Sequence, residues 1–582
     1  MRYFFQVVIM LFGFNAVTQI NSDSFGFDTL KIEEKTNGSL DSIAFQSRSS
    51  SMVFPLLSSS STASFLSPFS LFSPSGNIFH TPFQKTNPIT FSALPHIGVA
   101  YTFGSQGTQH LAFNYSQVFR NNFVFNLSAS NNATAGFYRN SAWKSTAYKI
   151  VLAKNAKCYS FRFAASYAQE RRNLSTGIVA DSLASLFDLT LIPVRREDAF
   201  SNASLRHVAL THFIDFTSKD SSQFLGLILA SKLRSMDRYY QESGQLAALY
   251  PLVQFDSTVT SDHYGLVELS NQISLASKLG KSFANLGVSA NYWRYANQGI
   301  IRDTMELSLI ASYESSWKNW RLNSSSSLNF IGAKFAMSQK TDFIWKKKNH
   351  YLAIETSYEN IAPLPVQRFY QANNNSYSLV DFNLQGASYA SVLFKEKIGI
   401  HHLAFIYRIL STSQVYCFDG QSWLNNTSLS NQSINQIVLN GSLQLGALTI
   451  SPRYELTLME EDFRFYPMHS VSSRVLVKGG IFKAKKLKAL AAVDFLFSSR
   501  YKAPSLIPNM TSFDFSSLPN SVYQKPMLNA GILVGFEVET FRFFARMDNM
   551  AYFFTNRSQL FFEGYTLPTW QLKFGVTWDF WN

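Results

Sequence analysis

From about Phe91 onward the chain alternates apolar and polar residues with a period of two. Leu111, Phe113 and Tyr115 alternate with Ala112, Asn114 and Ser116. Phe123, Phe125 and Leu127 follow, with Asn126 and Ser128 on the other face. Tyr159, Phe161, Phe163, Ala165 and Tyr167 oppose Ser160, Arg162, Ala164 and Ser166, and Met305, Leu307, Leu309, Ala311 and Tyr313 oppose Glu306, Ser308, Ser312 and Glu314. Successive strand side chains point to opposite faces, so each run predicts a strand with one apolar and one polar side. Many runs approach the roughly 9–11 residues that a tilted strand needs to cross a bilayer. The modal soluble strand is shorter, about five or six residues. Helical periodicity is poor throughout. Absence of a fixed-period repeat argues against a solenoid, and the many long strands without a linker argue against a soluble sandwich.

Tight connections alternate with long polar ones. Gly280-Lys281-Ser282 resembles the end of a phosphate-binding loop, but the glycine required at position 275 is Leu275. Its place between the alternating runs Val267 to Leu279 and Leu286 to Tyr292 predicts a hairpin turn instead. Glu539 and Thr540 mark another tight turn, whereas Gln371 to Ser376 and Gln421 to Gln432 are long and polar. Short turns at one end and long loops at the other are the pattern of a transmembrane antiparallel β-barrel. About 30 residues per strand and connection predicts about 16 strands, with 14 to 18 as the range.

Composition sharpens this all-β reading. Charged residues are 15 % of the 582, and aromatics also reach 15 %. Soluble domains carry roughly 25 % charge. The net charge of +14 is scattered in short clusters, such as Lys346 to Lys348 and Lys483, Lys485, Lys486 and Lys488, which fit turns or strand ends rather than a nucleic-acid stripe. Cys158 and Cys417 stand far apart and are expected to be unpaired. At the N-terminus, Arg2 precedes an apolar run from Tyr3 to Phe14, and Ala16 and Thr18 fit a cleavage site before Gln19. Residues 1–18 therefore read as a signal peptide, too short to span a bilayer as a helix. Residues 19–92 are Ser-rich and interrupted by Pro55, Pro68, Pro74, Pro82 and Pro88, and read as an irregular extension. The barrel is expected over residues 93–582.

The last strand is the most specific feature. Trp570, Leu572, Phe574, Val576, Trp578 and Phe580 alternate with Gln571, Lys573, Gly575, Thr577 and Asp579. Such an amphipathic aromatic strand closes a barrel against its first strand, leaving no open edge in lipid. Here the chain resembles the Putative porin family of the Bacteroidota. The resemblance rests on Tyr101-Thr102-Phe103-Gly104, Gln109, Asn114-Tyr115-Ser116-Gln117 and Gly136-Phe137-Tyr138 near the start. In the middle it rests on Pro365, Phe369, Tyr370 and Asn373. Towards the end it rests on Tyr501-Lys502-Ala503-Pro504, Phe513, Pro526, Phe541-Arg542-Phe543-Phe544, Gly564-Tyr565, Pro568 and Phe574 through Phe580. It implies an outer-membrane barrel and a passive channel for small hydrophilic solutes. Expected partners are outer-membrane lipid, lipopolysaccharide and the barrel-assembly machinery.

No His-Glu-x-x-His zinc motif and no Gly-x-Ser-x-Gly elbow occurs, so neither catalysis nor a cofactor or metal is expected. His401 and His402 are neighbours facing opposite sides of a strand, not a chelating pair. The candidate lumen-facing residues are Arg542, Arg546, Asp548, Lys573 and Asp579, chosen because they alternate with apolar neighbours. The excess of Lys and Arg predicts a mild anion preference. The competing reading is a plugged receptor or assembly barrel, with the Ser-rich arm as plug.

Overall fold

The computed structural model describes residue 92 and residues 94–581, except positions 157, 186, 218–222, 251, 415, 419–422, 426–431, 483–485, 508–511, 515–519 and 555–559. The proposed signal peptide, nearly all of the Ser-rich extension and the Cys417 side chain lie outside the described residues. The Cys158 thiol is free and exposed. No described helix is long and apolar enough to cross a membrane.

Among the described residues, 22 strands form one antiparallel sheet, each paired with its successor in sequence. The sheet closes where the last strand, Gln571–Trp581, pairs with the first, His96–Gly104. Closure leaves no backbone edge exposed, the condition that a barrel meets in lipid. The fold is therefore the expected closed barrel, but with 22 strands rather than about 16. The error lies in the connections. Six strands fit within residues 259–361 because the turns there have two residues at both ends of the barrel. Gln298 and Gly299 show how: both take positive φ, 37° and 93°, as a tight hairpin turn requires.

Alternate connections fall on alternate ends. At one end all are short, including 280–281, 318–319, 348–349, 399–400, 446–447 and 539–540. At the other end lie the long segments 174–199, 362–384, 414–432, 499–526 and 549–570. The first strand starts, and the last strand ends, at the short-turn end.

The alternation read from sequence is the alternation of the wall. Leu233, Ile273, Leu286, Leu307, Phe405, Val493 and Trp578 are exposed on the outside, while their neighbours in sequence face inward. The strands Gln223–Ser243 and Val259–Leu279 have 21 residues each, twice what crossing requires. Their outward positions are apolar at Leu225, Leu233, Ile273 and Leu275. Towards the loop end they become Ser235, Asp237, Gln241, Ser261 and His263. This wall thus continues beyond the apolar belt on the loop side.

The closing strand begins at Gln571, so Trp570 precedes it rather than belonging to it. Its outer aromatics seal the seam. Phe574 stacks on Phe103 of the first strand at 5.6 Å, Phe541 meets Trp578 edge-on at 5.8 Å, and Trp578 lies 4.3 Å from Phe580. On the inner side the Phe544 ring lies over Gly575, where a Cβ would overlap it. Gly575→Val is expected to destabilise the barrel by about 1–3 kcal/mol through overpacking. A urea midpoint in detergent would show this, and Phe544→Ala in the same chain should restore part of the loss.

Candidate functional site

The five residues singled out from sequence lie on the inner face, opposite the exposed Phe541, Trp578 and Phe580. They are not isolated charges. Arg546 Nε donates to Asp548 at 2.6 Å, Lys573 Nζ to the other Asp548 oxygen at 2.8 Å, and Arg546 Nη1 to Asp494 at 2.9 Å. Arg474 grips Asp494 with two hydrogen bonds of 2.7 Å. A second group joins Arg542 to Asp579 at 2.7 Å and to Glu537 at 3.2 Å. Lys488 reaches Glu537 at 2.9 Å, and His96 lies 3.1 Å from Asp579.

Register and a glycine set this geometry. Arg474 faces Asp494 across one ladder, and Glu537 faces Arg542 across another. Arg546 must reach over an intervening strand to Asp494, and it does so above Gly531, where a Cβ would come within 3.3 Å of Arg546 Nη2 and Asp548 Oδ1. Lys573 is 1 % exposed and Arg546 2 %. Charges this deep persist only when matched. The network therefore ties the wall together and presents little free charge to a solute. Sequence reasoning missed Arg474, Asp494, Glu537, Lys488 and His96. Asp494 carried a signal, as the acid interrupting an otherwise apolar run.

The loop end is built differently. Segment 174–199 supplies Ile178, Leu189, Ile192 and Val194 to a buried apolar cluster with Tyr138, Phe463, Tyr501 and Tyr565. Its backbone is tied to segment 549–570: Ile178 N–H donates to the Gly564 carbonyl at 2.8 Å. Gly177 and Gly564, both at positive φ, touch so closely that a Cβ on Gly177 would overlap the Gly564 carbonyl. The Tyr138 hydroxyl donates to the Thr566 carbonyl, and Lys502 N–H to the Arg464 carbonyl.

A second cluster packs segment 362–384 against the inner wall through Phe369, Tyr370, Tyr264 and Tyr295. Tyr295 donates to the Phe369 carbonyl at 2.8 Å, and Tyr370 to Asp262 at 3.1 Å. Asn373 then clasps segment 244–258. Its Oδ1 accepts from the Phe255 and Asp256 amides, and its Nδ2 donates to the Asp256 and Val259 carbonyls. The long loops are thus knit to one another and to the wall.

The sequence matches the family described as Putative porin over residues 87–582. The chain belongs to that family. No curated protein matches it significantly. Solved structures of similar fold include the siderophore receptor PirA from Acinetobacter baumannii, at TM-score 0.59 and 11 % identity, covering 85 % of this chain and 81 % of that one. The copper transporter OprC aligns at TM-score 0.60 and 9 % identity, with the same two coverages. The FrpB iron transporter from Neisseria meningitidis, in apoprotein form, aligns at 0.57 and 10 %, over 84 % and 81 %. At these identities the likeness is one of fold.

Several residues that carried the family resemblance in sequence serve the loop end of this porin-family barrel, Tyr138, Tyr501 and Tyr565 in the first cluster, and Tyr370 in the second with Asn373 beside it in the chain. The apolar members of segment 174–199 were missed, although nine large aliphatics in one connection are too many for a solvated loop.

Burial pushes the Tyr565 phenol up to about 12, and burial likewise raises Tyr466 and Tyr501. An unfolded phenol ionises near pH 10. The stabilisation these tyrosines give is complete below that pH and falls as pH rises from about 10 towards 12. Alkaline titration should therefore release the loop end before the strands, read as phenolate absorbance rising ahead of loss of β-sheet circular dichroism. In the ionic network, Asp548→Leu should cost about 3–5 kcal/mol by stranding buried cations. Asp548→Leu with Lys573→Met should recover much of that in the same urea measurement.

Proposed function

We propose that this protein is an outer-membrane uptake barrel, gated at its loop end, that admits small hydrophilic solutes selectively rather than as an open sieve. The observation that carries this reading is the pair of buried apolar clusters by which the long loops bind one another and the inner wall. An open channel keeps its mouth wet, and its loops have no need to share a core. The strand number supports the reading, because 22-stranded outer-membrane transporters characteristically have a plugged lumen. The solved receptors and transporters of similar fold are named for siderophore, iron and copper traffic, which fits selective uptake. The reading assigns no catalysis. The chain enters its first strand from the short-turn end, the periplasmic end of this class.

The alternative, passive diffusion, is favoured by the family description itself. Planar-bilayer recording separates the two. The intact barrel is expected to show little steady conductance, and removal of residues 178–195 to produce stable open steps. Large, steady steps from the intact chain would sink gating in favour of an open porin. If only deletion of residues 19–90 opens the pore, the N-terminal segment and not the loops is the gate.

A further inference from the structure

The cations at the short-turn end are arranged quite unlike those of the buried network. Lys346, Lys348, Lys395 and Lys397, with the His402 ring beside them, border a cavity of about 400 Å³. The parity of the strands gives its orientation. Leu410 and Thr412 are buried on the inner side of strand His401–Ser413, so Ala404 and His402 share that side, while exposed Leu403 and Phe405 point out. Register carries the inner face sideways. Lys395 stands opposite Ala404 and Lys397 opposite His402, then Tyr351 opposite Lys395 and Lys346 opposite Tyr351. Lys395 Nζ lies 5.1 Å from the centre of the Tyr351 ring, as two side chains on one face should. Asn440 and Ser442 continue the face beyond Ala404 and His402.

Compensation is missing here. Glu396, the carboxylate among the lining residues, belongs to the outward set and is bonded to His350. Among the described residues, none of the four lysines has a carboxylate partner. Further along the same inner wall the opposite holds: Lys340 is paired with Glu355 at 2.6 Å. The Asn440 side-chain oxygen is buried without a hydrogen-bond partner; as an acceptor it offers an anion nothing, so the binding rests on the lysines. Four unmatched ammonium groups around a concave, partly apolar wall focus a positive field.

We infer that this cavity is a binding site for a small, multiply charged anion, a phosphorylated or polycarboxylate solute, at the inner mouth of the barrel. Its role as an exit site for transported solute rests on the uptake reading above; its binding does not. The lysines neutralise the anion, and Tyr351 and Asn440 line the cavity beside them.

Pyrophosphate is a suitable probe, titrated by calorimetry into the full-length folded barrel in detergent at low salt. Saturable binding of one pyrophosphate per chain is expected, weakened at least about tenfold in K346Q/K395Q/K397Q. K281Q/K318Q/K347Q removes the same charge from turns and outward positions of the same end, and should weaken binding less than about threefold. Equal losses in both variants, or no saturation in the parent, would overturn the site. In lipid nanodiscs, equal binding in zwitterionic and anionic lipid supports a soluble ligand. Loss in anionic discs would make a lipid headgroup the occupant and overturn the proposal. Because no gradient or current is involved, a barrel that proves to be an open pore leaves the binding result standing.

Discussion

Pairing of the last strand with the first is the constraint on which the rest of the molecule depends. A sheet with two free edges is untenable in hydrocarbon, where an unpaired amide or carbonyl finds no water. Nine consecutive residue pairs, from His96 with Trp581 to Gly104 with Lys573, remove those edges. Once the ring is shut, each side chain is committed to the inside or the outside, and a slip of one residue would exchange the two sets. The outward aromatics of the seam and the inward ionic network are two faces of that one register.

Much of the wall was legible in the sequence. The period of two located the strands and their apolar sides, and it placed Arg542, Arg546, Asp548, Lys573 and Asp579 on the inner face. What alternation cannot convey is who stands beside whom. Arg546 meets Asp494, 52 residues away, only because an intervening strand carries Gly531 at the crossing point. Phe544 sits on the polar inner face because the neighbouring strand supplies Gly575 beneath its ring. The strand count failed for a related reason. Two-residue turns such as Gln298-Gly299 and Gly332-Ala333 leave little trace in composition, so strands run together when counted by average length.

The loops were the least legible part, because their structure depends on contacts between segments hundreds of residues apart. Tyr138 and Thr566 are joined across 428 positions, and Asn373 holds segment 254–259 more than a hundred positions away. Family-like residues at these points were visible as fragments, but nothing local said that they converge. The same physics sorts the charges. Where the wall is buried, Lys573 and Arg546 are matched. Where it opens to solvent at the short-turn end, Lys395 and Lys397 can remain unmatched at little cost.

The two 21-residue strands give the molecule a lopsided profile. Their outer surface turns from apolar to polar well before segment 244–258 is reached, so a palisade of paired backbone continues beyond the apolar belt on that flank. Proteases need an extended, unpaired stretch of chain to cut. A protease would find poor substrate along this palisade. It would work instead at exposed, unpaired connections such as that around Val380.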